Sequence, residues 1–201
     1  MIDWLTRSPL RTVIVSASAF LLAIVIFGAA MTALAYTGGP GHCTPGGGTI
    51  TVNDANADSF DEKWDEMDAI LEGGSPASIT LNESEISSRA ERYFSEKELD
   101  FEEVRVCIHD GYGEATGKLD YGIFGLQVEL MLTGTMDLTG DAPRTVLDSI
   151  EFGSIPDVFL DVYDAILPTT NSVDEAIEDI ELKHTYTPTL TEGVVRIDGE
   201  P

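Results

Sequence analysis

The sequence predicts an α+β domain, a curved antiparallel β-sheet covered by helices, carried outside a membrane by a single N-terminal transmembrane helix. Three observations predict it. Residues 122–140, "GIFGLQVELMLTGTMDLTG", put Phe124, Leu126, Val128, Leu130, Leu132, Met136 and Leu138 at every second position, which is strand periodicity. Segments of helical period precede and follow that run. Residues 12–36 carry no charge at all.

The chain divides into a cytoplasmic N-terminus (1–12), a transmembrane anchor (13–36), a Gly/Pro-rich linker (37–48) and an extracytoplasmic domain (49–201). The segment "VIVSASAFLLAIVIFGAAMTALA" is long enough to cross a hydrocarbon core of about 30 Å at roughly 1.5 Å per residue. Arg7 and Arg11 precede it and no Lys or Arg follows before Lys63, so the positive-inside bias keeps the N-terminus cytoplasmic. The sequence Ala33-Leu34-Ala35 also fits a signal-peptide cleavage site, which leaves a cleaved leader open as the alternative. The linker, "YTGGPGHCTPGGG" with its leading Tyr36, is expected to be a flexible spacer.

Within the domain, "TITV" at 49–52 reads as a short strand. Residues 58–74 read as a helix with Phe60, Trp64, Met67 and Leu71 on one stripe, Asp58 or Ser59 as its cap and Gly73-Gly74 as its stop. "SITLNESEISSRAERYFSEKEL" is a strand running into a second helix. Thr80/Glu83 and Asn82/Glu85 both have capping-box spacing, and Ile86, Ala90 and Phe94 form the apolar stripe. From Phe101 the period becomes two, and Asp110-Gly111 marks a hairpin into the long alternating strand, with Gly134 as its point of bending or bulging. "TGDAP" turns the chain and "RTVLDSIEFG" returns it. A helix over "DVFLDVYDAIL" and strands in "EDIELKHTYTP" and "GVVRIDG" complete the domain.

The formal net charge is -25. Asp3, Arg7 and Arg11 are the only charges in the first 36 residues, so the other 165 carry 35 acidic and 9 basic side chains, a charge of -26. Such a field repels nucleic acid and bare anionic headgroups, and a nucleic-acid partner is excluded on that ground. Dense surface carboxylate is also what adaptation to saline water produces. Cys43 and Cys107 are the only cysteines. In an exported domain they can form a disulfide or remain two thiols. With His42 and His109 they offer zinc-ligand types, but adjacent His42 and Cys43 fit such a site poorly. Asp54, Asn56, Asp58, Glu62 and Asp65 echo a calcium loop, yet Ser59 stands where the turn glycine belongs, and an acidic helix start explains them better. No catalytic constellation is found, so no enzymatic activity, metal or cofactor is expected.

The order of "SFDEKWDEM", "ITLNESEISSRAERYF", "VRVCIHDGYGEATGKL", the long strand, "LDSIEFGSIPDVFLDVYDAIL" and "LTEGVVRIDG" resembles the YpmS-type and LmeA-type membrane-anchored, lipid-binding proteins of bacterial envelopes. The matching positions are Thr80, Glu83, Glu85, Asp110, Gly111, Gly117, Gly153, Ile155, Pro156, Gly193, Ile197 and Gly199. The match departs at "SIPDVF", where Asp157 follows the proline. The resemblance implies a sheet wrapped around apolar side chains that holds a phospholipid or other lipid, with Leu126, Val128, Leu130, Leu132, Met136, Ile155, Phe159, Val162 and Ile166 as candidate lining. The same residues suit a closed core beneath the helix of Val158 to Ile166, which would make the chain an envelope scaffold or interaction protein without a small-molecule ligand. Protease added to intact cells or spheroplasts is expected to digest the domain and spare the anchor; a protected domain would reverse the orientation.

Overall fold

The computed structural model describes residues 38–99, 101–120, 127–154 and 180–201, with seven further helical, exposed positions between 22 and 33. Among the described residues no helix is long and apolar enough to cross a membrane. The expected span lies outside them apart from those seven positions, as does the helix expected over "DVFLDVYDAIL"; of the strand expected in "EDIELKHTYTP" only 178 and 179 lie outside, and the described part is extended only from Thr185. The described fold is α+β: α1 (Asp54–Glu72), β1 (Ala77–Asn82), α2 (Glu83–Glu96), β2 (Phe101–His109), β3 (Tyr112–Asp120), β4 (Gln127–Asp137), β5 (Arg144–Phe152), β6 (Thr185–Thr191) and β7 (Val194–Glu200).

Helix α1 begins a turn earlier than the acidic run suggests, because Asn53 is its cap and accepts the Asn56 amide at 2.8 Å. The "TITV" stretch is not a strand. Its neighbourhood is held by α2 instead, with the Thr51 and Asn53 amides donating to the Ser84 and Ser88 hydroxyls at 3.0 and 3.1 Å. Of the two possible capping boxes, Asn82/Glu85 is the one formed: each side chain accepts the other's backbone amide at 3.0 Å.

The single sheet expected from the sequence is corrected to two antiparallel sheets, ordered β1-β7-β6 and β2-β3-β4-β5. The cause is long-range pairing: β1 runs against the last strand of the chain from Ala77↔Gly199 to Asn82↔Val194. Local periodicity carries no signal of that partner. Helix α1 covers the three-stranded sheet, packing Met67 and Leu71 with Leu81, Tyr186, Val195 and Ile197. Helix α2 covers the other, setting Ala90 and Phe94 on Phe101, Val104, Val128 and Leu130. The sheets meet at their hairpin tips, where the Gly193 amide donates to the Ile108 carbonyl at 2.9 Å and the Glu192 amide to the Asp110 carboxylate at 3.1 Å.

The free edge of β2 is satisfied by a helix. Glu83, Ser87 and Glu91, four residues apart on α2, accept the amides of Ile108, Val106 and Val104 at 2.8, 2.8 and 2.7 Å. A register shift between Glu102 and Arg105, with Glu103 at φ 56°, starts this outward-facing row.

The glycine-rich linker is likewise not a free spacer. Its Gly46 and Gly47 amides donate to the two oxygens of buried Glu83 at 2.9 and 3.0 Å, and Cys43 is disulfide-bonded to Cys107 with the Cα atoms 6.0 Å apart. Gly193, at φ +79°, lies so close to Gly47 that a Cβ there would strike its backbone. Residues 38–53 thus form a strap from β4 across β3 and β2 to the β6–β7 turn and α2.

Closing a loop between cysteines 64 residues apart is worth about 4 kcal/mol in the chain-entropy account, so Cys43→Ser with Cys107→Ser should lower Tm by roughly 10 °C. Thiol labelling of the denatured, unreduced domain should find no free thiol. Glu83→Ala strands three amides and should cost about 3 kcal/mol in denaturant unfolding, against about 1 kcal/mol for Ser87→Ala. Equal small effects would show that the ladder is ornamental.

Candidate functional site

Strand β4 presents two different faces. On one parity, Val128 and Leu130 are buried beneath α2, Leu132 is half-buried at the margin of the same cluster, and Met136 is 42 % exposed. Across the ladder Ile150 stands opposite Leu132 and Leu147 opposite Gly134. Ile150 is half-buried and Leu147 is 40 % exposed. Among the described residues the apolar face is therefore closed over its first half and open over its second. The closed-core reading of the sequence put these residues beneath a helix from Val158 to Ile166, which lies outside the described residues; over Val128 and Leu130 the cover is α2. Leu126, Ile155, Phe159, Val162 and Ile166 lie outside the described residues. The strand itself spans 11 described residues, Gln127–Asp137.

The change from closed to open falls at a register shift between Thr133 and Gly134, where Ser149 and Leu147 are the successive partners and Asp148 is the extra residue. A Cβ on Gly134 would collide with the Val146 carbonyl, so glycine is required for the two strands to approach there. This is the position at which the sequence reading put a bend or bulge.

The closed half ends at a cavity of about 440 Å³ lined by Glu91, Ser95, Glu98, Leu99, Phe101, Glu102 and Glu103. Phe101 stands edge-on to Phe94 with ring centroids 5.4 Å apart and forms part of the floor. Lys118 bonds Glu103 at 2.8 Å and holds that carboxyl below its usual range. Four carboxylates and a serine against Leu99 and Phe101 make this lining mainly polar, and its charge disfavours an anionic occupant.

Cations are concentrated between the two helices. Lys63 reaches Glu85 at 2.7 Å, and the Ser59 hydroxyl donates to the same carboxylate at 2.6 Å. Arg92 binds Asp58 and Asp61 at 2.8 and 3.2 Å, and Arg89 binds Asp61 at 2.7 Å rather than the Glu85 that its spacing suggests. Burial alone would raise the Glu85 carboxyl, but hydrogen bonds from Lys63, Ser59 and the Asn82 amide, with the Lys63 charge, outweigh it and hold the group below its ordinary value. Tyr186, buried against Trp64, donates to Asp68 at 2.6 Å, and burial with that carboxylate pushes its phenol well above the usual range.

The remaining candidates resolve into structure. Cys43 and Cys107 are disulfide sulfurs and not metal ligands. Among the described residues no group of three His, Cys, Asp or Glu side chains could hold a metal ion. Asp54, Asn56, Asp58, Glu62 and Asp65 are helical rather than looped, and Asp54 and Asp58 face Arg92. His109 stacks on Tyr112 beside Glu114 and Glu192. The described positions that carry the family resemblance are joints: Glu83 clamps the strap, Glu85 caps α2, Gly117 lies against the Phe101 ring and Ile197 is core. The sequence reading missed the Glu83-Ser87-Glu91 row. Its spacing of four was visible, but beside the stripe of Ile86, Ala90 and Phe94 it reads as a solvated helix face.

Because the folded Glu85 carboxyl titrates below its ordinary value of 4.5, its contribution is present above about pH 4.5 and lost as the pH falls through the folded value. Urea unfolding between pH 6 and 3 should show a shallower acid loss in Glu85→Gln than in the unmodified domain; parallel profiles would remove Glu85 from the acid response. Comparison with protein-family models, curated proteins and solved structures finds no match to this chain.

Proposed function

We propose that the chain is a non-enzymatic, single-pass, membrane-anchored extracytoplasmic domain that binds or shields a lipid or other apolar ligand in the cell envelope. The observation that carries this reading is the half-covered sheet face: Leu132 and Ile150 half-buried, Met136 and Leu147 exposed, continuous with a buried cluster. Apolar side chains in a row on one sheet face are a surface for an acyl chain. The resemblance of the motif order to the YpmS-type and LmeA-type proteins supports the same class, and the apolar, uncharged segment ending at Tyr36 supports the anchor.

A second reading rests on a different observation. Val128 and Leu130 are packed under α2 as ordinary core, which favours an envelope interaction protein with a closed interior.

The two are separated by placing bulk on each half of the face. Leu147→Trp, at an exposed position, should leave Tm within about 2 °C while reducing the lipid recovered by mass spectrometry from protein purified out of native membrane. Leu130→Trp, in the closed half, should overpack and cost about 1 to 3 kcal/mol. Absence of any lipid on the unmodified protein, or full lipid recovery with Leu147→Trp, would reject the binding reading in favour of the scaffold.

A further inference from the structure

We infer that the strap seats one end of the domain, the end where β4 begins and β5 finishes, directly on the bilayer that holds the chain's own N-terminus. The inference rests on the anchor reading above and adds an orientation to it. Its first observation is where the strap starts. Gly38 and Gly39 lie against the domain already, so close that a Cβ on Gly38 would come 2.9 Å from the Ser154 hydroxyl and one on Gly39 2.5 Å from the Glu129 side chain. Two residue steps separate Gly38 from Tyr36, the last residue of the expected transmembrane span, a reach of about 7 Å at full extension. The domain therefore has no slack between the membrane surface and its first contact.

The second observation is what holds the strap down. Cys43 is locked to β2 through Cys107, the Thr116 hydroxyl of β3 lies 3.9 Å from the Cys43 sulfur, and Glu83 takes the Gly46 and Gly47 amides. These attachments occur within ten residues of Gly38, so strain on the tether cannot peel the strap away without breaking them. Without them, the 13 residues from Gly38 to Ile50, ahead of the Thr51 bond to α2, would become a flexible spacer with a mean reach of about 20 Å. Near that end stand Gln127, Glu129 and Glu151, with Lys118 opposite Glu129 and Glu102 beyond it, an edge acidic on balance that an anionic leaflet repels and a zwitterionic one tolerates. The strap, rather than charge attraction, keeps that edge on the membrane.

The test uses the full-length protein in phosphatidylcholine vesicles containing headgroup-labelled phosphatidylethanolamine as energy acceptor. A donor dye is clicked to Glu151→azidophenylalanine or, on the other sheet beside Ala77, to Ser75→azidophenylalanine. Transfer from position 151 should exceed that from position 75 several-fold. Inserting 20 Gly/Ser residues before Gly38 leaves the domain and its disulfide intact and should abolish the difference, and Cys43→Ser with Cys107→Ser, checked by circular dichroism for a folded domain, should reduce it. Equal transfer from the two positions in protein that floats with the vesicles would overturn the seating while leaving the anchor standing, as would an unchanged difference after the insertion. Protein that fails to float would overturn both.

Discussion

The outer edge of β2 bonds to a helix in place of a strand, and much of the molecule follows from that substitution. Alternate amides on a strand edge recur about every 6.7 Å, and residues four apart on an α-helix rise about 6 Å. The two repeats nearly match, so Glu83, Ser87 and Glu91 keep step with Ile108, Val106 and Val104 for three successive bonds. The short serine sits in the middle, where helix and strand are nearest, and the longer glutamates reach from the ends. An edge occupied in this way is closed to pairing with another chain. It also fixes the height of α2 over the sheet, which is what brings Ala90 and Phe94 down onto Phe101, Val128 and Leu130. Glu83 then has an oxygen to spare, and Gly47 of the strap takes it.

The charge distribution makes that helix placement possible. Only nine Lys and Arg side chains serve a domain with 35 carboxylates, and three of them, Lys63, Arg89 and Arg92, lie between α1 and α2. Both helices carry acidic residues on their facing sides, so without those cations their approach would be repulsive. The exposed arginine pairs are each worth little. Lys63 with Glu85 differs, because that carboxylate is buried and also closes the α2 capping box. One side chain therefore couples helix initiation, helix–helix contact and acid sensitivity.

The sequence disclosed local structure far better than partnership. Period-two runs, the Asp110-Gly111 hairpin and the stop at Gly73-Gly74 were legible because each depends on residues a few positions apart. The bulge at Gly134 was legible because a glycine inside an alternating strand has few other uses. Two sheets in place of one were not legible, since β1 finds its partner in β7 and nothing in "ASITLN" specifies it. The glycine-rich stretch misled for a related reason: glycine density signals freedom in isolation, whereas here it permits close approach to Gly193 and to the Glu83 carboxylate. That α2 covers Val128 and Leu130 was not legible either, since the contact joins segments more than thirty residues apart; the helix offered as cover, Val158 to Ile166, lies outside the described residues.

What remains is how one sheet can serve both a tether and an apolar surface. The parity of β4 separates them. Glu129 faces the strap and shares its side with Thr116 and Cys107, while Val128 and Leu130 face α2. A one-residue slip would exchange the two sides and put carboxylate into the core, so the register that buries Val128 also keeps the strap on polar ground. The strap and any occupant of Leu132, Met136, Leu147 and Ile150 then lie on opposite sides of the same strands and do not compete for space. Beyond Gly134 the extra residue in β5 shifts its alternation relative to β4, leaving Val146 and Leu147 on opposite faces and both exposed. The bulge is thus the physical boundary between the part of the sheet that α2 stabilises and the part that α2 leaves uncovered.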